Sequence, residues 1–347
     1  MTPTNPVRSL VIASLSLAFV ALACIARGQS AQLQFAMGVA QCPDSRVLVG
    51  LANGPMVEVD GQSIVYPASI VAGAKVDSVS CGRNYVAAVT TDDRLVIVDR
   101  SYRTTTFRPT VDGYATLKDA AVSDTRVAVT GTITKAGTAP VNKAWVVDPA
   151  TGDSTAYTTG IAGAVAFDRG SFWWADSGRI ASDYRPPIVT EGNPMAISAR
   201  NLVTVGAART GTTSRTTLHD GLEATMSAAQ CAYVDSTGYE FACLRGQLLE
   251  VWVGAAKRAS IALPVAPKGV AYDGTTALVA LYSSGVARYR LEGSALVPAG
   301  FLPVAASPVP TVAATVTRTA GAVTPTPALD CTGCTLSAGN LRCGDCR

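Results

Sequence analysis

Histidine and charged residues are scarce in this sequence of 347 residues. Its one histidine, His219, excludes a metal site with two or more histidine ligands, and a Ser-His-Asp triad would have to use that residue. Charged residues make up 15% of the chain, and 28 basic against 25 acidic side chains give a formal net charge of +3. A nucleic-acid-binding protein would show a clustered basic excess, so this balance argues against that class.

Several functional motifs are absent as well. The sequence has no Gly-x-Ser-x-Gly elbow, no phosphate-cradling glycine loop, no CxxCH haem motif and no Asp-x-Asp-x-Asp calcium loop. It also lacks an Asn-x-Ser/Thr site for N-glycosylation. We therefore expect no cofactor, and the missing catalytic constellation favours a protein that is not an enzyme. The hydrophobic fraction of 48% can nevertheless fill a sizeable core, which excludes general disorder.

Residues 1–28 predict a signal peptide. Residues 10–26 form an apolar run that is short for a membrane span and typical of a signal-peptide core. Ala21-Leu22-Ala23 fits the rule for cleavage before Cys24, and Ala26-Arg27-Gly28 offers a second cut. The same region resembles a bacterial lipobox, which makes Cys24 a lipidation candidate, and a retained anchor is a further alternative. No later stretch is long and apolar enough to span a bilayer, so we expect a secreted or envelope-associated protein.

The organising pattern is an internal repeat. An aliphatic second strand recurs seven times, at intervals of roughly 30 to 45 residues, in a unit of four short strands. These second strands are residues 47–49, 86–89, 127–129, 172–174, 202–205, 239–242 and 277–281. One four-stranded sheet cannot bury both faces alone, whereas radial stacking buries them and leaves short edges. The sequence therefore predicts an all-β, seven-bladed β-propeller over residues 31–302, with six or eight blades as alternatives.

Two segments resemble repeats of known propeller families. Residues 79–95, VSCGRNYVAAVTTDDRL, resemble one repeat of the regulator-of-chromosome-condensation type, although Tyr85 and Asp93 replace its usual histidine and glycine. Residues 145–152, WVVDPATG, are similar to the third-strand turn of bacterial surface-layer and related secreted propellers. Both resemblances imply a propeller, and neither carries a functional residue to this chain.

Five of the predicted third strands end in aspartate, at Asp60, Asp99, Asp148, Asp183 and Asp220. Aspartate accepts hydrogen bonds from the backbone N–H groups that follow it and so starts tight turns. Asp60-Gly61 and Asp220-Gly221 are also strong hairpin dipeptides. We therefore expect structural turns, with a ring of carboxylates that holds a cation as the alternative.

Nine cysteines indicate an oxidising compartment, because eight remain to pair once Cys24 is removed or lipidated. Cys231 and Cys243 flank a predicted turn, which would bring them to disulfide distance. Cys42 and Cys81 occupy the same position of consecutive repeats, which favours a bridge between blades.

The chain ends in two distinct segments. Residues 303–330 are rich in Pro, Thr and Ala and predict an extended linker. Residues 331–347 form a cysteine-rich tail with the spacing Cys331-x2-Cys334-x8-Cys343-x2-Cys346. Four thiolates at this spacing could bind zinc, but export favours two disulfides. The tail is a candidate for docking or self-association.

Two further features are candidates for function. Phe172-Trp173-Trp174 alternates faces along a strand, so Trp173 and Trp174 either pack between blades or offer a stacking surface for sugar rings. His219 precedes Asp220, a pair that suggests general acid–base chemistry, although a lone strand histidine is more often a surface or turn residue.

The sequence as a whole favours a non-enzymatic binding module for an extracellular protein or glycan. The alternatives are a carbohydrate-active or hydrolytic enzyme that uses carboxylates of the central channel, and a structural subunit of a surface layer or fibre. Propellers serve all three roles, so the fold alone does not decide between them.

Overall fold

The computed structural model describes most of the predicted propeller and part of the tail. Its described residues are 36–52, 56–60, 62–65, 76–190, 194–198, 203–207, 214–220, 223–282, 284–302, 334–337 and 340–343. The predicted signal peptide, Cys24, the linker over 303–330, Cys331 and Cys346 lie outside these ranges. Within them the chain forms strands and no helix, and therefore no helix that could cross a membrane.

The strands of the propeller form seven antiparallel sheets, each with four strands in chain order. Sheet 1 contains β1 Ala36–Gln41, β2 Val47–Leu51, β3 Val57–Asp60 and β4 Gln62–Val65. Sheet 2 contains β5 Val76–Cys81, β6 Tyr85–Thr90, β7 Leu95–Asp99 and β8 Thr104–Phe107. Sheet 3 contains β9 Tyr114–Val122, β10 Val127–Thr134, β11 Val141–Val147 and β12 Ser154–Thr159. Sheet 4 contains β13 Val165–Asp168, β14 Ser171–Asp176, β15 Arg179–Ser182 and β16 Ile188–Val189.

The remaining sheets have the same order. Sheet 5 contains β17 Pro194–Ser198, β18 Val203–Ala207, β19 Ser214–Asp220 and β20 Glu223–Ser227. Sheet 6 contains β21 Tyr233–Thr237, β22 Glu240–Arg245, β23 Leu248–Val253 and β24 Ala256–Ala262. Sheet 7 contains β25 Gly269–Tyr272, β26 Thr276–Ala280, β27 Val286–Glu292 and β28 Ala295–Phe301. A separate hairpin in the tail pairs β29 Cys334–Ser337 with β30 Asn340–Cys343 and sets Cys334 opposite Cys343.

The second strands are continuous apolar runs because a neighbouring sheet covers each of their faces. Every residue of β2 and of β14 is buried, without the alternation of a strand that has one wet face. The fourth strand of sheet 3, β12, is polar and mostly exposed. Burial therefore decreases from the middle of a sheet to its outer edge.

Neighbouring sheets share hydrophobic cores. Sheets 2 and 3 pack through one cluster that includes Ile97, Phe107 and Trp145. Sheets 1 and 7 pack through another cluster, which includes Val49, Leu278 and the buried Leu302. The first and last sheets of the chain are thus in direct contact.

The first strands lie innermost and contact one another around an axis. Contacts join β1 to β5, β5 to β9, β9 to β13, β13 to β17, β17 to β21, β21 to β25, and β25 back to β1. Small residues allow this close approach, since a Cβ added to Gly269 would lie 3.5 Å from the Cα of Gly38. The prediction of an all-β propeller with small residues near its axis is confirmed.

Five sheets are described from their first strand to their last, apart from residue 283, and they are established as blades of the propeller. These are sheets 2, 3, 4, 6 and 7. The interval between the fourth and fifth second strands, at roughly 30 residues, is the shortest of the series. Sheet 4 has all four strands, and its short span is explained by β16, which has only 2 residues.

Candidate functional site

The innermost strands enclose a cavity of about 610 Å³ along the axis. Residues of β1, β5, β9, β13, β17, β21 and β25 all line it. Its wall is built largely from Gly, Ala, Ser and Val, which leave the space open. Pockets of roughly 300 to 1,000 Å³ are typical of ligand sites, so this channel is the candidate site of the molecule.

Inside the channel, carboxylates join neighbouring sheets. Asp119 on β9 accepts hydrogen bonds from the Ser78 hydroxyl of sheet 2, from the Ala120 N–H at 2.9 Å, and from the Val165 N–H of sheet 4 at 3.0 Å. Burial raises the pKa of the Asp119 carboxyl above its ordinary value, although these hydrogen bonds oppose the shift. The carboxylate therefore connects three consecutive sheets.

The same arrangement recurs on the other side of the ring. Asp235 on β21 accepts hydrogen bonds from the Ser198 hydroxyl of sheet 5 at 3.0 Å and from the Ser236 N–H at 2.9 Å. Its second oxygen accepts from the Tyr272 N–H of sheet 7 at 2.7 Å. These side chains satisfy backbone donors of first strands, which have no further strand to pair with on the channel side. Asp119 and Asp235 are structural braces.

Exposed charged side chains lie at one end of the channel. Register shifts in sheets 1, 2 and 3 leave Met37, Asp77 and Lys118 as extra residues at equivalent positions of the first strands. In sheet 7 the Lys268 N–H donates to the Ala280 carbonyl at 2.8 Å although Gly269 is the register partner of Ala280. Such β-bulges re-aim side chains and are common next to functional sites.

We name this end of the channel the bulge rim and define it by five lining residues, Met37, Asp77, Lys118, Tyr233 and Lys268. The side chains of Asp77, Lys118 and Lys268 are exposed, and Tyr233 is 39% exposed. Neither Lys118 nor Lys268 has an ion-pair partner within the part of the chain that the structure describes. The rim thus has two unpaired positive charges.

The two tryptophans proposed as a sugar-stacking surface are buried, at 4% exposure for Trp173 and 2% for Trp174. Trp174 packs on Tyr157 of sheet 3 with ring centroids 5.0 Å apart, and Trp173 donates its indole N–H to the Asp168 carbonyl at 3.2 Å. The binding hypothesis for these residues is therefore wrong, because both faces of β14 are covered by neighbouring sheets. They pack between blades.

Of the five third-strand aspartates, Asp99, Asp148 and Asp183 do not line the channel. Asp99 accepts from the N–H groups of Ser101 and Arg103 at 2.7 and 2.9 Å, and Asp148 accepts from Ala150 at 2.7 Å, as in the predicted turns. Asp183 differs, because its buried carboxylate accepts from the Phe172 N–H at 2.9 Å and pairs with Arg126 at 3.2 Å. Asp60 and Asp220 end β3 and β19.

Two of the predicted disulfides are present and confirm that part of the cysteine framework. Cys42–Cys81 joins sheets 1 and 2 with a Cα–Cα distance of 4.9 Å, and Cys231–Cys243 lies within sheet 6 at 5.2 Å. Cys243 has Val234 as its register partner, so Cys231 reaches it from the segment before β21 instead of from directly opposite. The pairing or zinc binding of the tail cysteines stays a prediction.

His219 is neither a surface nor a turn residue, because β19 places it in the interior at 1% exposure. Its Nε2 lies 3.0 Å from the Thr204 hydroxyl. Burial lowers the pKa of His219 from 6.5 to about 4. A buried neutral histidine remote from the channel supports a structural role.

Comparison with known proteins identifies a fold and no family. No family model and no curated protein matches the chain. The solved complex of KlAtg21 with the coiled-coil of AgAtg16 aligns at a TM-score of 0.54 and 12% identity, over 77% of this chain and 100% of that one. The computationally designed protein Ika8 aligns at 0.52 and 11% identity, over 75% and 97%.

Hsv2 from Kluyvelomyces marxianus aligns at a TM-score of 0.51 and 12% identity, over 75% of this chain and 93% of that one. At these identities the likeness shows the propeller fold alone. The resemblances of residues 79–95 and 145–152 to two repeat families stay predictions from the sequence.

Proposed function

We propose that this chain is an exported, non-enzymatic binding module that holds a partner protein at the bulge rim of a seven-bladed propeller. Seven four-stranded sheets and the closed series of contacts between their first strands support the blade number. The leader-like segment at residues 1–28 and two disulfides support export, since disulfides persist in oxidising compartments.

The bulge rim is the observation that carries this proposal. The channel carboxylates Asp119 and Asp235 already accept at least three hydrogen bonds each, from neighbouring sheets and their own strand. A general acid or base must reach its substrate proton, so Asp119 and Asp235 are poorly suited to hydrolysis. The exposed charges of the rim are instead available to a partner.

A protein partner fits the rim better than a neutral glycan. Sugar sites commonly use exposed aromatic faces, whereas the rim has one aromatic ring, Tyr233, and the tryptophans Trp145, Trp173, Trp174 and Trp252 are buried. KlAtg21, which shares the fold, was solved with a coiled-coil bound, so a propeller of this kind can hold a protein segment. We therefore place a protein surface at the rim.

Site-specific photo-crosslinking tests the proposal. A photoreactive phenylalanine analogue replaces Tyr233 at the rim, and in a matched variant it replaces Tyr184, which is 69% exposed. Tyr184 lies at the opposite end, since the neighbouring Arg185 donates to the Arg169 carbonyl in the turn after β13. The full chain is exported by the expressing cell and irradiated there.

We expect a discrete protein adduct from the Tyr233 position and none from Tyr184. Turnover of a polysaccharide by the purified protein, lost on Asp119→Asn, would contradict the proposal and favour the enzyme alternative. Oligomers that form through residues 331–347, with no adduct at Tyr233, would favour a structural subunit instead.

A further inference from the structure

We infer that the segment bound at the bulge rim is an acidic peptide, held through its carboxylates by Lys118 and Lys268. The inference rests on the proposed function and deepens it by naming the chemistry of the partner. It starts from two lysines that the fold places at one end of the same channel.

Lys118 and Lys268 lie across the channel from each other. Lys118 belongs to sheet 3 and Lys268 to sheet 7, with sheets 1 and 2 between them on one side and sheets 4, 5 and 6 on the other. A chain that enters the channel therefore meets a positive charge on both sides. Two charges that face each other can hold successive carboxylates of one extended segment.

Two lysines of the described chain have acidic partners, whereas Lys118 and Lys268, like Lys143 on β11, have none. Lys135 pairs with Asp112, and Lys257 lies 3.5 Å from the buried Glu250. Lys118 and Lys268 are exposed and have no ion pair among the described residues. An external carboxylate can thus bind without first breaking an internal salt bridge.

The shape of the rim supports a narrow ligand. Small residues such as Gly38, Gly163 and Ala196 line the same cavity of about 610 Å³. Asp77 on β5 adds one negative charge, so the five rim residues carry two positive charges and one negative, while Asp119 and Asp235 line the same cavity and accept hydrogen bonds from neighbouring sheets.

An acidic peptide is favoured over an acidic glycan because the rim has few aromatic rings on which a sugar could stack. No tryptophan face is exposed anywhere in the described chain, and Tyr233 is the one aromatic ring of the rim. A peptide needs no stacking platform, since its side chains and backbone can use the charges and the strand edges directly. The observations therefore favour a protein segment.

Fluorescence anisotropy with a labelled oligo-glutamate peptide tests the inference on the full chain. The comparison probes are oligo-glutamine of equal length and oligogalacturonate of equal charge. The test variants are Lys118→Glu and Lys268→Glu. The matched control is Lys143→Glu, which makes the same charge change on β11 of sheet 3, where the Lys143 Nζ contacts Thr158 at 3.5 Å.

We expect oligo-glutamate to bind and oligo-glutamine not to bind, with affinity falling as salt rises. Each rim reversal should weaken oligo-glutamate roughly tenfold, whereas Lys143→Glu should leave it within about twofold. Lys118→Met and Lys268→Met keep the aliphatic stem and remove the charge, so they should also lose affinity. Thermal unfolding of every variant identifies any that fails to fold.

Equal binding of oligo-glutamate to wild type and to both folded rim variants would overturn the inference. Tighter binding of oligogalacturonate, lost in the same variants, would overturn the peptide assignment in favour of an acidic glycan. Absence of oligo-glutamate binding would also overturn it, yet a protein adduct at Tyr233 would leave the proposed function standing. The two failures are therefore distinguishable.

Discussion

At the scale of single residues, buried polar groups hold the sheets of this propeller together. A first strand pairs with only one neighbour in its own sheet, so its other backbone donors need partners. Asp119 and Asp235 provide them across sheet boundaries, as does Ser80, whose hydroxyl accepts from the Val122 N–H at 3.1 Å. These polar residues of the channel wall are thus explained by their role as hydrogen-bond acceptors for backbone N–H groups of the first strands.

Asp119→Ala should lower the free energy of unfolding by about 2 kcal/mol, because it leaves the Val165 N–H and the Ser78 hydroxyl without their acceptor. Urea denaturation measures the loss. Asp124→Ala removes an exposed carboxylate in a nearby turn and should change the value by less than about 0.5 kcal/mol. Equal losses in the two variants would show that Asp119 is not a brace.

His219 should make the fold sensitive to acid. Its pKa is lowered from 6.5 to about 4 by burial, so the unfolded chain takes up a proton at a higher pH than the folded protein does. Stability from this group is therefore complete above pH 6.5 and declines as the pH falls towards 4, by up to about 3 kcal/mol.

Urea unfolding at several pH values in this window tests the effect. His219→Gln cannot take up that proton, so its unfolding free energy should fall less between neutral and mildly acidic pH than that of wild type. If the variant and the wild type lose stability in parallel, His219 is not the group that titrates.

At the scale of elements, the sequence pattern predicted the features that depend only on the residues within one strand. The aliphatic second strands, such as β2 and β6, were evident because both of their faces are apolar. The Cys42–Cys81 bridge followed from equivalent positions in consecutive repeats, which the propeller brings side by side. Because the repeats are equivalent, these features could be predicted from the sequence alone.

The bulge rim could not be predicted from the sequence. Whether Asp77 or Lys118 is an extra residue depends on its pairing register with the next strand, and one strand does not encode that register alone. The sequence left open whether Trp173 and Trp174 pack between blades or bind sugar for a similar reason, since alternation along β14 does not show whether a face is covered. Only the packing of sheets 3, 4 and 5 decides it.

The two disulfides should contribute unequally to stability. Cys42–Cys81 closes a sequence separation of 39 and Cys231–Cys243 one of 12. Loop-closure entropy gives about 4 kcal/mol for the longer loop and about 3 kcal/mol for the shorter. Paired Cys→Ser variants, compared with wild type by urea denaturation, measure both losses, and a larger loss at Cys231–Cys243 would contradict this order.

At the scale of the whole molecule, each sheet depends on its neighbours for burial, and the series closes on itself. Sheets 1 and 7 share a core, and the Ala36 N–H donates to the Tyr282 carbonyl at 3.2 Å. Closure fixes the first strands around the axis and so sets the positions of Lys118 and Lys268. The binding site is therefore a property of the ring and not of one repeat.

The most direct measurement is the affinity of the partner captured at Tyr233 for three forms of the full chain. These are wild type, the double variant Lys118→Glu with Lys268→Glu, and Arg185→Glu at the opposite end. We predict that the double variant loses most of the affinity and that Arg185→Glu keeps it. Retained affinity in the double variant together with a loss in Arg185→Glu would contradict the assignment of the bulge rim as the binding face.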